Sequence, residues 1–521
     1  KNLSSFKSSI ILSAVTTVAG LGVLIFAKHP ALQSIALISI IGIICVVVMA
    51  QILIPFLFSI LIKNRVQRNR FPWTAWGFIK SSFAFSYFIG WSVTFTVIAY
   101  IFSLFNIKEK GKLLYHKIIA LVCRRLVYIM INVKKKIINL QNEKFEQPAI
   151  IIANHQSSLD ILPLIMLHPK LIMFTNNRIW SSPLFGKVIR MADYFPVEQI
   201  ETDTAKIEER IKNGYSIIIF PEGTRSEDGI IKRFHKGAFY LAEKMNVDIL
   251  PIMVHGTDYT LTKQDQLLKD GQVTIKILPR IKPVDKTYGD NYSERAKLIG
   301  RYFRQQFDLL KKEIEQPKYF REKLVYNYLY KGPVLEWYMR IKTKLENNYQ
   351  PFNDIVPAKG NILDIGCGYG FMSYMLSFTA PERNITGIDY DEEKIDTANH
   401  CFSKTDKINF VQSDIMQFNF EKYDAIIIAD MLHYLQPNEQ KTVIEKCIGN
   451  LNSGGTIIIR DGDKDKEGLH KKTKLTEFFS TRVFNFNKTK TKRLSFLSGN
   501  MIRNMAIANK MSCKELADSK L

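Results

Sequence analysis

Two uncharged runs near the start of the chain, residues 8–27 and 31–62, restrict what it can fold into more than any other feature. A helix needs about 20 apolar residues to cross a bilayer, and charge-free spans of this length are rare in soluble folds. Lys7 and Lys28 bracket the first run, and Lys63, Arg65, Arg68 and Arg70 follow the second, which Pro55 is expected to kink near its end. By the positive-inside rule both outer ends of this hairpin face the cytoplasm. A third uncharged run, residues 81–107, has Lys80 before it and Lys108, Lys110 and Lys112 after it. A single crossing would strand one basic flank on the wrong side, so a bent, re-entrant helix pair broken near Gly90 and Trp91 is expected. Residues 113–133 alternate apolar residues with Lys117, Arg124 and Arg125 and predict an amphipathic helix lying on the membrane surface.

The remaining length changes character. With 521 residues there is room for two or three domains, and from about residue 148 short apolar strands (149–153, 216–220, 249–254, 273–277) alternate with helical stretches (204–212, 237–245, 293–315) in a soluble α/β pattern. The formal net charge of +23 fits nucleic acid or anionic lipid headgroups. Basic clusters flank the apolar spans and no nucleic-acid-binding motif is present, so membrane lipids are the expected partner and nucleic acid is not. Cys45, Cys123, Cys367, Cys401, Cys447 and Cys513 show neither metal-type nor disulfide-type spacing, as reduced thiols in a cytosol-facing protein would; no metal site is read. The chain begins with Lys1 and lacks a recognisable signal peptide, and a piece of a longer protein is expected. The reading divides it into 1–66 (two transmembrane helices), 67–147 (a re-entrant and amphipathic membrane-associated segment), 148–316 and 317–521.

Asn154-His155-Gln156-Ser157-Ser158-Leu159-Asp160 follows a buried strand directly. A histidine and a carboxylate five positions apart at a strand-to-helix turn can touch; the carboxylate then fixes the imidazole tautomer and raises its basicity. Such a base could deprotonate a hydroxyl for attack on a thioester, with no protein nucleophile required. Alone, the pair also fits a capping or core histidine. A second block, Phe220-Pro221-Glu222-Gly223-Thr224-Arg225-Ser226, ends another buried strand, and Lys232, Arg233 and Lys236 make its loop strongly cationic. Gly223 permits close backbone approach and Arg225 offers the planar fork that suits phosphate.

Together these blocks resemble the lysophosphatidic acid/glycerol-3-phosphate acyltransferases over about residues 110–310. The resemblance implies that His155 is the base and Asp160 its partner, that Glu222, Gly223, Thr224 and Arg225 hold the acceptor's polar head, and that Ile249-Leu250-Pro251-Ile252 lies near the acyl chain. Acyl-CoA or acyl carrier protein would be the donor. One departure stands out: where the family's second motif commonly ends in an arginine that binds phosphate, Phe195-Pro196-Val197 is followed here by Glu198-Gln199. Losing such a contact costs about 1.5–3 kcal/mol unless another cation compensates, with Lys187 and Arg190 as candidates.

Farther along, Ile362-Leu363-Asp364-Ile365-Gly366-Cys367-Gly368-Tyr369-Gly370 reads as a buried strand feeding a glycine-rich turn and a helix, able to approach a nucleotide-like ligand. Asp389 ends the next strand, where it can accept from ribose hydroxyls, and Asp414 ends a third, where it can take an adenine amino group. Strands are expected at 362–365, 385–388, 408–411, 425–429 and 456–459, with a sixth near 512–516. A lone glycine-rich turn also fits a dinucleotide site, but this set resembles the class I S-adenosylmethionine-dependent methyltransferases over about residues 320–521. The resemblance implies that Asp364, Gly366, Gly368 and Gly370 cradle the methionine moiety of S-adenosylmethionine, Asp389 its ribose and Asp414 its adenine, with His433 or Tyr434 a candidate acceptor-side base. The family sheet normally holds seven strands, so the chain is expected to continue past Leu521.

The first 65 or so residues, above all SSFKSSIILSAVTTVAGLGVLIFAKHPALQSIALISIIGI, look like the last two membrane helices of an RND/MMPL-type exporter. The expected fold is therefore α/β with N-terminal transmembrane helices: an acyltransferase domain, then a Rossmann-like methyltransferase domain. The expected function is a bifunctional enzyme of phospholipid-type biosynthesis on a bacterial inner membrane, catalytic domains facing the cytoplasm. It would acylate a (lyso)phospholipid-like hydroxyl and carry an appended methyltransferase. The alternative is an exporter of a lipid or pigment whose appended domains modify or regulate its cargo, with the rest of that exporter as partner.

Overall fold

The computed structural model describes residues 3–105, 108–199, 202–226, 229–262, 265, 267–465 and 495–516. It divides into two compact units, Thr74–Glu322 and a second that joins Lys1–Trp73 to Lys323–Leu521.

Among its described residues the unit Thr74–Glu322 is built on seven strands: β1 Val133–Ile138, β2 Ala149–Ala153, β3 Leu171–Thr175, β4 Phe195–Pro196, β5 Ser216–Ile219, β6 Asp248–His255 and β7 Gly271–Ile277. Their order is β1-β7-β6-β2-β5-β3-β4, parallel except for the β6–β7 pair. β2, β3 and β5 are buried at every position, which is why they are continuous apolar runs rather than alternating ones. β2 lies between β6 and β5 with all three running the same way, so their carboxyl ends meet on one edge.

Two membrane-related expectations are corrected in this unit. Ala75–Phe102 is one continuous 28-residue helix, without the bend expected near Gly90; residues 106–107 of the predicted run lie outside the described residues. Its hydroxyls find partners within the helix, Ser92 donating to Phe88 O and Thr94 to Gly90 O. A stripe of Gly77, Ser81, Ala84, Ser92, Phe95 and Ala99 packs inward, while Lys80 pairs with Asp270 at 2.8 Å and Thr96 donates to Leu184 O at 2.5 Å. The amphipathic helix is Glu109–Ile129, and its apolar face is not free for lipid: Tyr115, Ile119, Val122, Cys123, Leu126 and Val127 are part of the unit's core. Periodicity reports one apolar face; it does not report what covers it.

In the other unit the helices Leu3–Gly22 and Pro30–Val48 form a hairpin in which Ala36 alone is buried among the described residues. The second helix runs on to Val66 through two wider π-turns, Met49–Leu53 and Ser59–Lys63, that flank Pro55 and absorb its missing N–H. Among the described residues, three helices are long and apolar enough to cross a membrane, Lys7–Phe26, Pro30–Val66 and Ala75–Phe102. After the hairpin, Phe71 packs on Tyr326 and Phe402, and Tyr330 Oη donates to Trp73 O at 2.8 Å.

Among its described residues the same unit holds five parallel strands, β8 Lys359–Ile365, β9 Glu382–Asp389, β10 Ile408–Gln412, β11 Tyr423–Ala429 and β12 Leu451–Arg460, in the order β10-β9-β8-β11-β12. All five were legible as apolar runs. The sixth strand expected near 512–516 is absent: residues 511–516 follow the helix Gly499–Ala508 as irregular, mostly exposed chain, too polar to add to a buried sheet. Strand order reverses between β8 and β11, the switch point at whose carboxyl edge ligands bind in open α/β sheets.

Candidate active sites

At the carboxyl end of β2 the chain turns through Asn154 and His155. His155 Nδ1 stands 3.0 Å from Asp160 Oδ2, and the Asp160 side chain is fully buried. The same oxygen accepts from Gln156 N and Ser157 N, each at 2.7 Å, and Thr257 Oγ1 donates to the other. Ser157 and Asp160 close a capping box around the turn, so local geometry brings the carboxylate back to the histidine. The imidazole stacks on Phe220, centroids 4.2 Å apart, and is 17% exposed. With Nδ1–H given to the carboxylate, Nε2 is the nitrogen left for a substrate hydroxyl.

The loop after β5 wraps this turn. Glu222 is buried, and its oxygens accept from His155 N and Lys232 N, both at 2.9 Å, while Ser226 N donates to His155 O at 2.9 Å. Burial pushes the Glu222 carboxyl up, against those backbone donors, which lower it. The sequence reading put Glu222 beside Gly223, Thr224 and Arg225 on the acceptor's head. Gly223 and Thr224 are exposed and Arg225 half-buried, but the Glu222 carboxylate is turned inward, where the backbone N–H groups of His155 and Lys232 need an acceptor. Arg225, Lys232, Arg233 and Lys236 make no ion pair among the described residues, leaving a cationic rim. Of the candidate compensating cations, Arg190 donates to Trp180 O and stacks on its ring, and Lys187 lies over Tyr100.

A second constellation lies at the β8–β9–β10 edge. Asp364, fully buried at the end of β8, accepts from the Ser373 hydroxyl at 2.5 Å, and burial pushes its carboxyl up to about 6. Gly368 N donates to Asp389 Oδ2 at 2.9 Å and Asp391 N to Asp389 Oδ1 at 3.0 Å, fastening the glycine turn to the end of β9. A Cβ at Gly370 would strike the Phe410 ring at 2.6 Å, whereas one at Gly368 would meet nothing within 4 Å, so bare backbone borders open space there. Asp414, half-buried past β10, accepts from Met416 N at 3.1 Å. A buried carboxylate raised by desolvation, a glycine edge and two further acids fit a ligand with a cationic amino-acid end and a hydroxyl-bearing nucleoside.

Sequence reasoning missed several participants. Thr257 and Asn154 act through the side of β6, visible only once strand order is known. Asp461 directly follows β12 and binds His433 through Oδ1 at 2.7 Å, both side chains buried; Arg460 pairs with Asp430 and Glu346. Their one sequence signal is position just after or at the end of an apolar run. Tyr434 rests its ring 4.2 Å from that of His433.

Two family models match the chain: Acyltransferase over residues 128–255 and Methyltransferase domain over residues 362–455. A chloroplastic 1-acyl-sn-glycerol-3-phosphate acyltransferase of Arabidopsis thaliana is 33% identical over 138 residues, 25% of this chain and 39% of that one. The human 1-acyl-sn-glycerol-3-phosphate acyltransferase beta is 28% identical over 152 residues, 28% of this chain and 54% of that one. Among solved structures, the 1-acyl-sn-glycerophosphate acyltransferase of Thermotoga maritima is 22% identical, covering 45% of this chain and 96% of that one, with a TM-score of 0.39. An N-methyltransferase of Bradyrhizobium japonicum in complex with S-adenosyl-L-homocysteine is 25% identical, covering 27% and 69%, with a TM-score of 0.19. The chain thus spans about two fifths to half of the curated relatives' length, and both likenesses lie outside residues 1–66.

Proposed function

We propose that this chain, which carries an acyltransferase-type domain followed by a methyltransferase-type domain, is a membrane-anchored bifunctional enzyme. Its first activity moves an acyl group from acyl-CoA or acyl carrier protein to the hydroxyl of a (lyso)phospholipid-like acceptor. The observation that carries this reading is the 3.0 Å contact between His155 Nδ1 and a fully buried Asp160. His155 Nε2 takes the proton from the acceptor hydroxyl as its oxygen attacks the thioester carbonyl. The tetrahedral intermediate collapses, the new ester forms, and the imidazolium returns its proton to the departing thiolate. Asp160 orients the ring and balances its charge. Arg225, Lys232, Arg233 and Lys236, with Gly223 and Thr224, supply the cationic and backbone contacts for an anionic head, in place of the arginine absent at Glu198-Gln199.

The second activity is S-adenosylmethionine-dependent methylation. Asp364 and the turn Gly366, Gly368 and Gly370 would hold the methionine end, Asp389 the ribose and Asp414 the adenine. When bound, the cofactor supplies an electrophilic methyl group. His433, held by Asp461, is the acceptor-side group nearest in kind to a base. The apolar hairpin serves as an anchor; basic residues at its outer ends favour a cytoplasmic placement of both domains at a bacterial inner membrane. Its likeness to an exporter end supplies the second reading, cargo modification beside a transporter.

The deciding experiment uses the purified, detergent-solubilised chain. His155→Ala is expected to abolish acyl-thioester consumption and to leave S-adenosylmethionine affinity unchanged. Near-normal thioester turnover by the variant would remove His155 as the base.

A further inference from the structure

The His155–Asp160 pair is held from a third side. β6 ends at His255, and Gly256, with φ +86°, turns the chain into the short helix Thr257–Thr260. A Cβ at position 256 would stand 2.1 Å from the Gln272 carbonyl oxygen, so the turn needs glycine. It delivers Thr257, fully buried, to Asp160 Oδ1, the oxygen opposite the one that faces His155. Two ties keep this junction in register. Asn154 Nδ2 donates to Val254 O and Asn154 Oδ1 accepts from Val254 N, both at 2.8 Å. Ser157 Oγ donates to Leu261 O, also at 2.8 Å.

We infer that Thr257 is a positioning residue of the acyl-transfer site, its hydroxyl locking the Asp160 carboxylate in the plane that holds His155 as base. The inference rests on the acyl-transfer reading above. Asp160 Oδ2 already receives Gln156 N, Ser157 N and His155 Nδ1, whereas Oδ1 has Thr257 as its one donor among the described residues. Without that hydroxyl a buried carboxylate oxygen is left unsatisfied and the group gains freedom to rotate away from the imidazole. A purely structural threonine would give its hydroxyl to a carbonyl of its own turn, as Thr260 does to Gly256 O at 2.8 Å. Thr257 spends it on the carboxylate instead. The other titratable groups facing the pair are Glu222 from the β5 loop, Asp258 beside Thr257, and His255, whose Nε2 is 2.9 Å from Glu315. None of them changes in the variants below.

The test compares Thr257→Val and Thr257→Ser in the full chain in detergent, with His155→Ala as reference. Valine keeps the shape and removes the hydroxyl. It is expected to lower kcat for thioester consumption about tenfold while KM for the acyl donor stays within about twofold. The acidic limb of kcat/KM should move to lower pH, because a carboxylate free to rotate away stabilises the imidazolium less. Serine should restore both kcat and the limb. A valine variant with wild-type kcat and an unmoved limb would overturn the inference, as would serine and valine variants that lose activity equally. If the valine variant does not fold, Thr257→Cys, a weak donor, takes its place: a shifted limb supports the role and a wild-type profile overturns it. Full turnover by His155→Ala would remove the acyl-transfer reading itself, whatever the Thr257 variants do.

Discussion

Single carboxylates in this chain do different work according to what surrounds them. Asp160 is buried yet ringed by four donors, Glu222 is buried with two backbone donors, and Asp364 is buried with a single hydroxyl. Asp364 has the least compensation, and its carboxyl is pushed up to about 6 by burial, above the model-peptide value of 3.8. The sign follows from linkage. A folded-state value above the unfolded one means that the protonated form favours the fold, so this contribution is fully present below about pH 4 and is lost as pH rises through about 6. The loss is on the order of 3 kcal/mol for two pH units. A cationic amino group beside the carboxylate would reverse the preference and expel the proton. S-adenosylmethionine binding near pH 6 is therefore expected to release a proton, measured as a calorimetric enthalpy that differs between buffers of different ionisation enthalpy. Asp364→Asn should abolish the difference; a buffer-independent enthalpy in the unaltered protein would place the cation elsewhere.

Among the elements, the helix Ala75–Phe102 shows how an apolar run can serve two surroundings at once. Its small-residue stripe lets it approach the Thr74–Glu322 body closely, while Phe83, Val97 and Tyr100 stay exposed. Ser81 is a buried tie in that contact: its hydroxyl accepts from Leu268 N at 2.9 Å and donates to Gly77 O of its own helix at 2.7 Å. Ser81→Ala leaves a buried N–H without its acceptor and is expected to cost about 1–3 kcal/mol, read as a lower melting temperature of the detergent-solubilised chain. A variant that melts with the unaltered protein would show that the helix is held by its apolar contacts alone. The expected bend failed here because basic flanks constrain which side of a bilayer the ends occupy, not whether the helix between them breaks. Gly90 carries no such signal either, since glycine in a helix lowers stability without ending it.

Across the whole molecule, the chain leaves one compact unit at Trp73 and returns to it at Lys323, with the acyltransferase-type unit between. Each unit has its own sheet, with its candidate site residues at that sheet's edge. Asp389→Ala is therefore expected to weaken S-adenosylmethionine binding by about 1–3 kcal/mol, the loss of hydrogen bonds to a charged group, and to leave thioester turnover untouched. Calorimetry and a thioester assay on one preparation check both halves. A parallel fall in acyl transfer would show that the units are coupled.

What the sequence determined by itself was whatever depends on near neighbours along the chain. Uninterrupted apolar runs named the candidate spans, β2, β5, β6 and β7 of the first sheet and all five strands of the second, and the turn after β2 brought His155 to Asp160 because a capping box needs only four consecutive residues. The glycine turn from Gly366 to Gly370 was legible for the same reason. What only the tertiary structure decided was partnership at long range. Thr257 reaches Asp160 across 97 positions and Asn154 pins Val254 across 100, because β6 happens to lie beside β2. The Glu222 carboxylate turned inward because the turn at His155 and the loop at Lys232 left backbone N–H groups in need of an acceptor. The apolar face of Glu109–Ile129 became core because the helices Ala75–Phe102 and Ile161–Ile165, rather than lipid alone, packed against it. Hydrophobic pattern records that a face must be covered, and only packing says by what.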